Sequence, residues 1–471
     1  MTTRTHPLVI QGGMGAGVSA WPLARAVSIT GQLGVVAGTA LDVILVRRLQ
    51  LGDRGGHVRR ALEHFPIPGI GKRIVERWFR PGGKGSDSRF ELAPPHQYPL
   101  TREQDELIVA ANFAEVFLAR EGHDNPVGIN YLEKIQLPTL PSLFGAMLAG
   151  VGSVLMGAGI PRSIPGLLDQ LAAGEPVELR LDVRGSTREF SAAFDPRAFC
   201  GGSPPKLKRP RFVAIVASVP MATMMCRKAS GRVDGLVVEG PSAGGHNAPP
   251  RGPMRLDDRG GPIYGERDRP DLEAIAALGV PFWLAGSYAT PERVREAREQ
   301  GAAGVQVGTA FAYCEESGLT REIKQKVLAL SREGKASVYT DPDASPTGFP
   351  FKVLNLPGTL SDRALAQARA PVCDLGYLRV AYESPDGTLG WRCAGEPSEA
   401  FVSKGGDPQE AAGKICVCNG LLANIGMPQV RRREPELPLI TSGDDVETVA
   451  RFLAPGAESY SAADVIDYLL G

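Results

Sequence analysis

The residues that could do chemistry gather just after short apolar runs. His246 ends the loop Glu239-Gly-Pro-Ser-Ala-Gly-Gly-His246, which follows Gly235-Leu-Val-Val-Glu239 directly, and Asn247-Ala-Pro-Pro-Arg251 comes next. An imidazole titrates near working pH, and the two glycines before it let a ligand come close to the backbone. His246 is therefore the candidate acid/base residue. The other histidines, His6, His57, His64, His96 and His123, lack such surroundings. A second group is Leu284-Ala-Gly-Ser-Tyr288 with Gln306-Val-Gly-Thr-Ala310. Backbone N–H groups and a helix N-terminus in such loops can hold a phosphate, so Gly286, Ser287, Gly308 and Thr309 read as an anion cradle. The third is Gln11-Gly-Gly-Met-Gly-Ala-Gly17, where missing Cβ atoms let a flat ligand or a phosphate lie against N–H groups. It is not the dinucleotide fingerprint: Gly13-Met-Gly15-Ala-Gly17 lacks the final glycine, and no acidic residue ends a clear second strand at the expected distance. A tight turn without a ligand is the plain alternative.

These groups need a scaffold that brings distant loops to one place. Short apolar runs ending in Gly, Ser or Asn recur at Leu8–Gly13, Leu33–Gly38, Pro126–Tyr131, Ser153–Gly159, Arg211–Ser218, Gly235–Gly240, Pro281–Ser287 and Gly304–Thr309. Eight such runs, without polar alternation and mostly followed by helical patterns, predict an α/β fold: a (β/α)8 TIM barrel with its loops converging at the C-terminal ends of the strands. Residues 1–40 open the barrel and 125–336 complete it. Between them, 41–124 reads as a helical insertion or lid that includes the second barrel helix, with helical stretches Val46–Phe65, Ile70–Phe79 and Arg102–Arg120. Residues 337–471 read as a C-terminal extension ending in an amphipathic helix, Tyr460 to Leu470. Glu178–Val183 and Glu189–Ala192 alternate as a surface hairpin would. Thr290 before Pro291 reads as an N-cap, with Gly301 as the stop of that helix.

Composition limits the partners. The 52 Lys+Arg balance 52 Asp+Glu, so no net field argues for nucleic acid, and Arg431-Arg-Arg433 reads as a solvated turn. The charge-free stretch Leu137 to Pro161 is long enough to raise the question of a membrane. Pro138, Pro141, Gly150 and Gly152 divide it, predicting a helix capped by Ser142 followed by a buried strand. The opening Met1-Thr-Thr-Arg-Thr-His-Pro has no secretory leader pattern, and seven thinly spread cysteines suit reduced thiols, so the expectation is cytoplasmic. Cys373, Cys393, Cys416 and Cys418 share the extension. Their spacing is not that of a zinc knuckle, so free or redox-active thiols are expected there and no metal.

Taken together, the segments Ile10-Gln-Gly-Gly-Met-Gly15, Ala26-Val-Ser-Ile-Thr-Gly-Gln-Leu-Gly34, Gly128-Ile-Asn130, Ser242-Ala-Gly-Gly-His246 and Gly301-Ala-Ala-Gly-Val-Gln-Val-Gly-Thr-Ala-Phe311 resemble the nitronate monooxygenase superfamily. That superfamily includes flavin-dependent enoyl-acyl-carrier-protein reductases. The resemblance implies FMN. It places Gly13 and Met14 near the flavin ring, Asn130 and Ser218 along the mononucleotide, and Gly244 and Gly245 beside the ribityl chain or phosphate. His246 matches the family's catalytic histidine. The expected activity is oxidation of alkyl nitronates with O2, His246 acting as imidazolium toward the anion or as base toward a neutral nitroalkane. This requires a pKa near neutrality. An NAD(P)H-dependent enoyl-thioester reductase is the alternative, since the polar loop after His246 is nearer in character to such enzymes; a non-catalytic flavin-binding partner protein is another. The implied partners are a small-molecule substrate with O2 or NAD(P)H, neither nucleic acid nor membrane, with self-association left open.

Overall fold

A computed structural model of the chain describes residues 6–471; the reading of the opening residues Met1–Thr5 lies outside them. Eight parallel strands form the centre: β1 (Val9–Gln11), β2 (Gly34–Ala37), β3 (Val127–Leu132), β4 (Ser153–Gly157), β5 (Arg211–Val216), β6 (Gly235–Glu239), β7 (Phe282–Ala285) and β8 (Gly304–Val307). Each predicted run coincides with one of them, β3 reaching one residue beyond its run at Leu132. Neighbours pair in parallel in the order β1-β8-β7-β6-β5-β4-β3-β2, and a bridge between Ile10 and Leu33 joins the two ends. The sheet is a closed (β/α)8 barrel, as the sequence predicts.

The strands read as unbroken apolar runs because both faces are covered. Ile10, Val35, Leu155, Val213, Val237 and Trp283 meet inside the barrel, while the alternate residues Val9, Val36, Val154, Phe212, Leu236 and Leu284 pack outward against helices. The period of two thus survives, but with apolar residues on both sides. Trp283 Nε1 donates to the Pro7 carbonyl at 2.9 Å, satisfying the one polar atom of the indole. Toward the C-terminal ends of the strands polar side chains appear in the lining of the interior: Asn130 on β3, Glu239 on β6 and Gln306 on β8.

The segment between β2 and β3 holds helices Leu41–Gln50, His57–Glu63, Ile70–Trp78 and Arg102–Arg120. The last is closed at its start by a Thr101–Gln104 capping box. The single stretch expected over Val46–Phe65 is two helices. Gly52, Asp53, Gly55 and Gly56 all adopt positive φ between them, and the Asp53 carboxylate accepts from the N–H groups of Val58 and Arg59 at the start of the next helix. Local glycine geometry and a carboxylate cap outweigh the helical pattern here.

The charge-free stretch forms helix Thr139–Leu148 followed by β4. Ser142 does not cap it: the helix begins three residues earlier, with Pro141 in the first turn, where a missing N–H costs little. No helix among the described residues is long and apolar enough to cross a membrane. Thr290 caps Pro291–Glu299 as predicted, its hydroxyl accepting from Arg293 N–H. The surface hairpin pairs Val177–Arg180 with Ser191–Phe194, and the chain ends in helix Ala462–Leu470.

The C-terminal segment adds an antiparallel pair, Val338–Asp341 with Phe351–Leu354, and the short strand Gly245–His246 pairs with the second of these, His246 opposite Phe351. It also adds Val380–Glu383 with Leu389–Arg392, joined to Val183–Arg184.

Candidate functional site

The loop after β1 is pinned before it meets any ligand. Ser19 Oγ donates to the Gly12 carbonyl and accepts from Met14 N–H, both at 2.9 Å, while Gln11 Nε2 donates to Ser19 Oγ at 2.8 Å. These bonds fold Gly12–Ser19 into a tight turn in which Gly12, Gly13 and Gly15 line the barrel mouth. Gly13 lies against Asn130: a Cβ at position 13 would stand 2.5 Å from the Asn130 Cβ. Close backbone approach is thus required at this point.

His246 follows β6 and is held from three sides. Its strand pairs with Phe351–Lys352. Gly245 N–H donates to Thr441 Oγ1 at 2.7 Å, and Thr441 Oγ1 donates to the Lys352 carbonyl at 2.6 Å. His246 Nε2 lies 2.7 Å from Ser345 Oγ, which is itself 2.9 Å from Thr347 Oγ1. The Phe349 and Phe351 rings flank the imidazole at 6.5 and 4.7 Å. Burial, reinforced by the Lys134 charge, pushes its pKa down to about 4. This corrects the expectation of a near-neutral imidazolium: water is excluded by aromatic walls, and the nearby charge has the wrong sign.

Gly13, Met14, Asn130, Gly244, Gly245, His246, Gly286, Ser287, Gly308 and Thr309 all line one cavity of ≈ 220 Å³ at the C-terminal mouth. The structure therefore brings together ten of the eleven residues singled out from sequence. Ser218 is the exception. It is absent from that lining, and its hydroxyl accepts from Met221 N–H as the cap of helix Val219–Lys228. A Ser-Val-Pro sequence after a strand is itself a helix-start signal, and here that local role takes the side chain.

The anion cradle is more crowded than the sequence suggests. Thr309 Oγ1 accepts from Gly443 N–H at 2.9 Å, and the Asp445 carboxylate stands against Ser287 and the Ala289 N–H. Both side chains of the cradle are thus engaged by the C-terminal segment, so a phosphate held here would rest on backbone N–H groups. Gly244 is packed equally tightly: a Cβ there would meet the Ser442 carbonyl carbon at 2.7 Å.

Several polar groups of the cavity lining await partners or protons, Asn424 Oδ1 and Ser442 Oγ of the C-terminal segment among them. Asn130 Oδ1 and Gln306 Oε1 are buried without hydrogen bonds. Buried amide oxygens of this kind are costly unless a ligand donates to them. The polar edge of a flavin, which alternates N–H and C=O groups, would supply such donors, and the glycine-lined loops leave room for a flat ring. The residues present fit FMN in this sense. Glu239 is also buried there: burial alone lifts its pKa to about 7. No Lys or Arg is among the described residues lining the cavity.

Sequence reasoning missed the parts supplied from afar. Ser345, Phe351, Thr441, Ser442 and Asp445 approach from the C-terminal segment, and Lys134 follows β3. Only Glu239 and Gln306 carried a visible signal, being polar residues at the ends of apolar strands. All seven cysteines are free thiols; Cys373 and Cys393 are neighbours in the C-terminal segment. Among the described residues no group of three or more His, Cys, Asp or Glu is arranged to hold a metal ion.

Residues 207–341 match the nitronate monooxygenase family model, which bears out the resemblance read from the motifs. A Mycobacterium tuberculosis protein, (3aS,4S,5R,7aS)-5-hydroxy-7a-methyl-1-oxo-octahydro-1H-indene-4-carboxyl-CoA dehydrogenase, is 28% identical over 186 residues, 40% of this chain and 46% of that protein. Its Rhodococcus jostii namesake is 27% identical over 184 residues, 39% of this chain and 45% of that protein. The chain thus aligns with about half the length of these curated relatives. Among solved structures, FabK from Thermotoga maritima aligns with a TM-score of 0.48 at 16% identity, covering 99% of this chain and 92% of that one. A nitroalkane oxidase from Streptomyces ansochromogenes aligns with a TM-score of 0.48 at 14% identity, covering 98% and 94%.

Proposed function

We propose that the chain, whose residues 207–341 carry the nitronate monooxygenase pattern, is an FMN-dependent oxidoreductase acting on an acyl or enoyl thioester. The observation that carries this reading is the electrostatic character of the cavity: a neutral His246, a Glu239 near half-protonation at pH 7 and no lining cation. The lining offers no cation to a small substrate anion, Lys134 standing outside it over the Phe349 ring, whereas a neutral carbonyl needs only a hydrogen bond and a dry surface. The carboxyl-CoA substrate class in the relatives' name supports the same choice.

FMN, when bound, supplies hydride acceptance or donation at its N5. The remaining work falls to the chain. Gly13 and Met14 would face the ring, Asn130 and Gln306 would meet its polar edge, and Gly244, Gly245, Gly286, Ser287, Gly308 and Thr309 would hold the ribityl phosphate. His246, kept neutral and oriented by Ser345, would donate a hydrogen bond to the thioester carbonyl or take up a proton beside it. The Ser345–Thr347 hydroxyl pair would relay that proton outward. Phe349 and Phe351 keep water from the imidazole.

Oxidation of alkyl nitronates with O2 is the second reading, favoured by the family match across the Ser242–His246 loop. Anaerobic mixing separates the two. The purified protein should be yellow, and an acyl-CoA, or NADPH followed by an enoyl-CoA, should change the flavin absorbance within turnover time. Bleaching by propionate 3-nitronate alone would favour the second reading. Yellow protein that responds to none of these would leave a flavin-binding protein without catalysis.

A further inference from the structure

A second cavity, of ≈ 370 Å³, lies between the loop after β3, the surface hairpin and the Val380–Glu383 hairpin of the C-terminal segment. Its lining is cationic: Lys134, Arg180, Arg184, Arg188 and Arg379 stand against a single carboxylate, Asp182. Three of the arginines have surface partners: Arg180 with Glu189 at 2.8 Å, Arg184 with Glu410 at 2.7 Å and Arg188 with Glu383 at 3.0 Å. The three arginine side chains are half or more exposed, so the pairs are weak and exchange readily for a better anion.

Lys134 and Arg379 differ, having no ion pair among the described residues. Lys134 Nζ sits 4.9 Å from the centre of the Phe349 ring. Arg379 is fixed by the Gly376 and His96 carbonyls, at 3.0 and 2.9 Å, with its guanidinium 5.6 Å from the Trp391 ring centre. A rigid guanidinium beside an indole suits a phosphate next to a stacking base. The cavity also adjoins the reacting end: Thr347, in its lining, bonds to Ser345, which bonds to His246.

We infer that this cavity binds the phosphorylated adenosine diphosphate end of a ligand whose reactive end reaches His246. The place given to that reactive end rests on the proposed oxidoreductase reading; the nucleotide site itself rests on the cationic lining. Two ligands carry this chemistry, a CoA thioester with a 3′-phosphate and NADPH with a 2′-phosphate.

Titration calorimetry on the full-length, FMN-loaded chain tests the site with adenosine 3′,5′-bisphosphate and adenosine 2′,5′-bisphosphate as separate probes. At least one should bind, more weakly as salt rises, and the tighter isomer identifies the source. Arg184→Glu, at a half-exposed side chain of the short strand Val183–Arg184, should weaken it about tenfold or more while the melting curve stays in place. Arg379→Gln should do the same, and Arg379→Lys should restore only part of the affinity. Absence of binding by both probes would overturn the inference, as would unchanged affinity in Arg184→Glu, or capture of an acidic acyl-carrier protein with neither nucleotide bound. Nucleotide binding by a protein that never takes up flavin would instead count against the oxidoreductase reading alone.

Discussion

His246 combines two demands that pull against each other: a reactive imidazole must be reachable, yet its walls of Phe349 and Phe351 keep it uncharged. Replacing it with Gln should leave the yellow colour intact and lower turnover with the thioester about 10²–10³-fold in stopped-flow assays. A variant with full activity would remove its catalytic assignment. The depressed pKa also has a signature in stability. An unfolded chain takes up a proton at this side chain below about pH 6.5, whereas the folded chain resists until about pH 4. Stability contributed by the neutral ring is therefore present above pH 6.5 and declines as pH falls through that window. Denaturant melts between pH 7 and 4 should show a shallower decline in His246→Gln than in the parent protein.

At the scale of elements, the loop after β6 works only because a strand from more than a hundred residues away is laid against it. Gly245 and His246 pair with Lys352 and Phe351, and the Lys352 ammonium, almost fully buried, donates to the Pro241 carbonyl at 2.8 Å and to Asp444 at 2.6 Å. Gly244 marks the closest contact between loop and C-terminal segment, where backbone meets backbone. Gly244→Ala should push Ser442–Gly443 away, with the protein still folded by circular dichroism but flavin fluorescence rising as FMN is lost on dialysis. Retention of FMN equal to the parent would show that the contact has slack.

For the whole molecule, the C-terminal segment is a wall of the site, and the site does not close without it. Leu421, Asn424, Ile440 and Thr441–Gly443 face the cavity, Leu439 and Ile440 are almost wholly buried, and the buried Arg47 guanidinium donates to the Met427 carbonyl. A chain ending at residue 336 would expose this apolar surface and lose the partner of the His246 strand. It should be recovered largely as aggregate, with any soluble fraction colourless and inactive. A soluble, yellow truncated protein would contradict this account.

The barrel was legible in the sequence because each strand declares itself locally: an apolar run, a glycine-rich end, a helix-start signal. The same local logic located Gly13, the His246 loop and the turns at Gly286 and Gly308, since strand ends of a closed barrel share one mouth. It misled at Gly52–Gly56, where a turn splits the expected helix, while Ser218, placed along the mononucleotide by the resemblance alone, has its hydroxyl in a helix cap. Tertiary structure alone decided the protonation of His246, the occupation of Ser287 and Thr309 by the C-terminal segment, and the cationic cavity beyond Thr347. Charge state and shape of this kind depend on which distant residues exclude water from a group, and no short-range pattern along a chain records that.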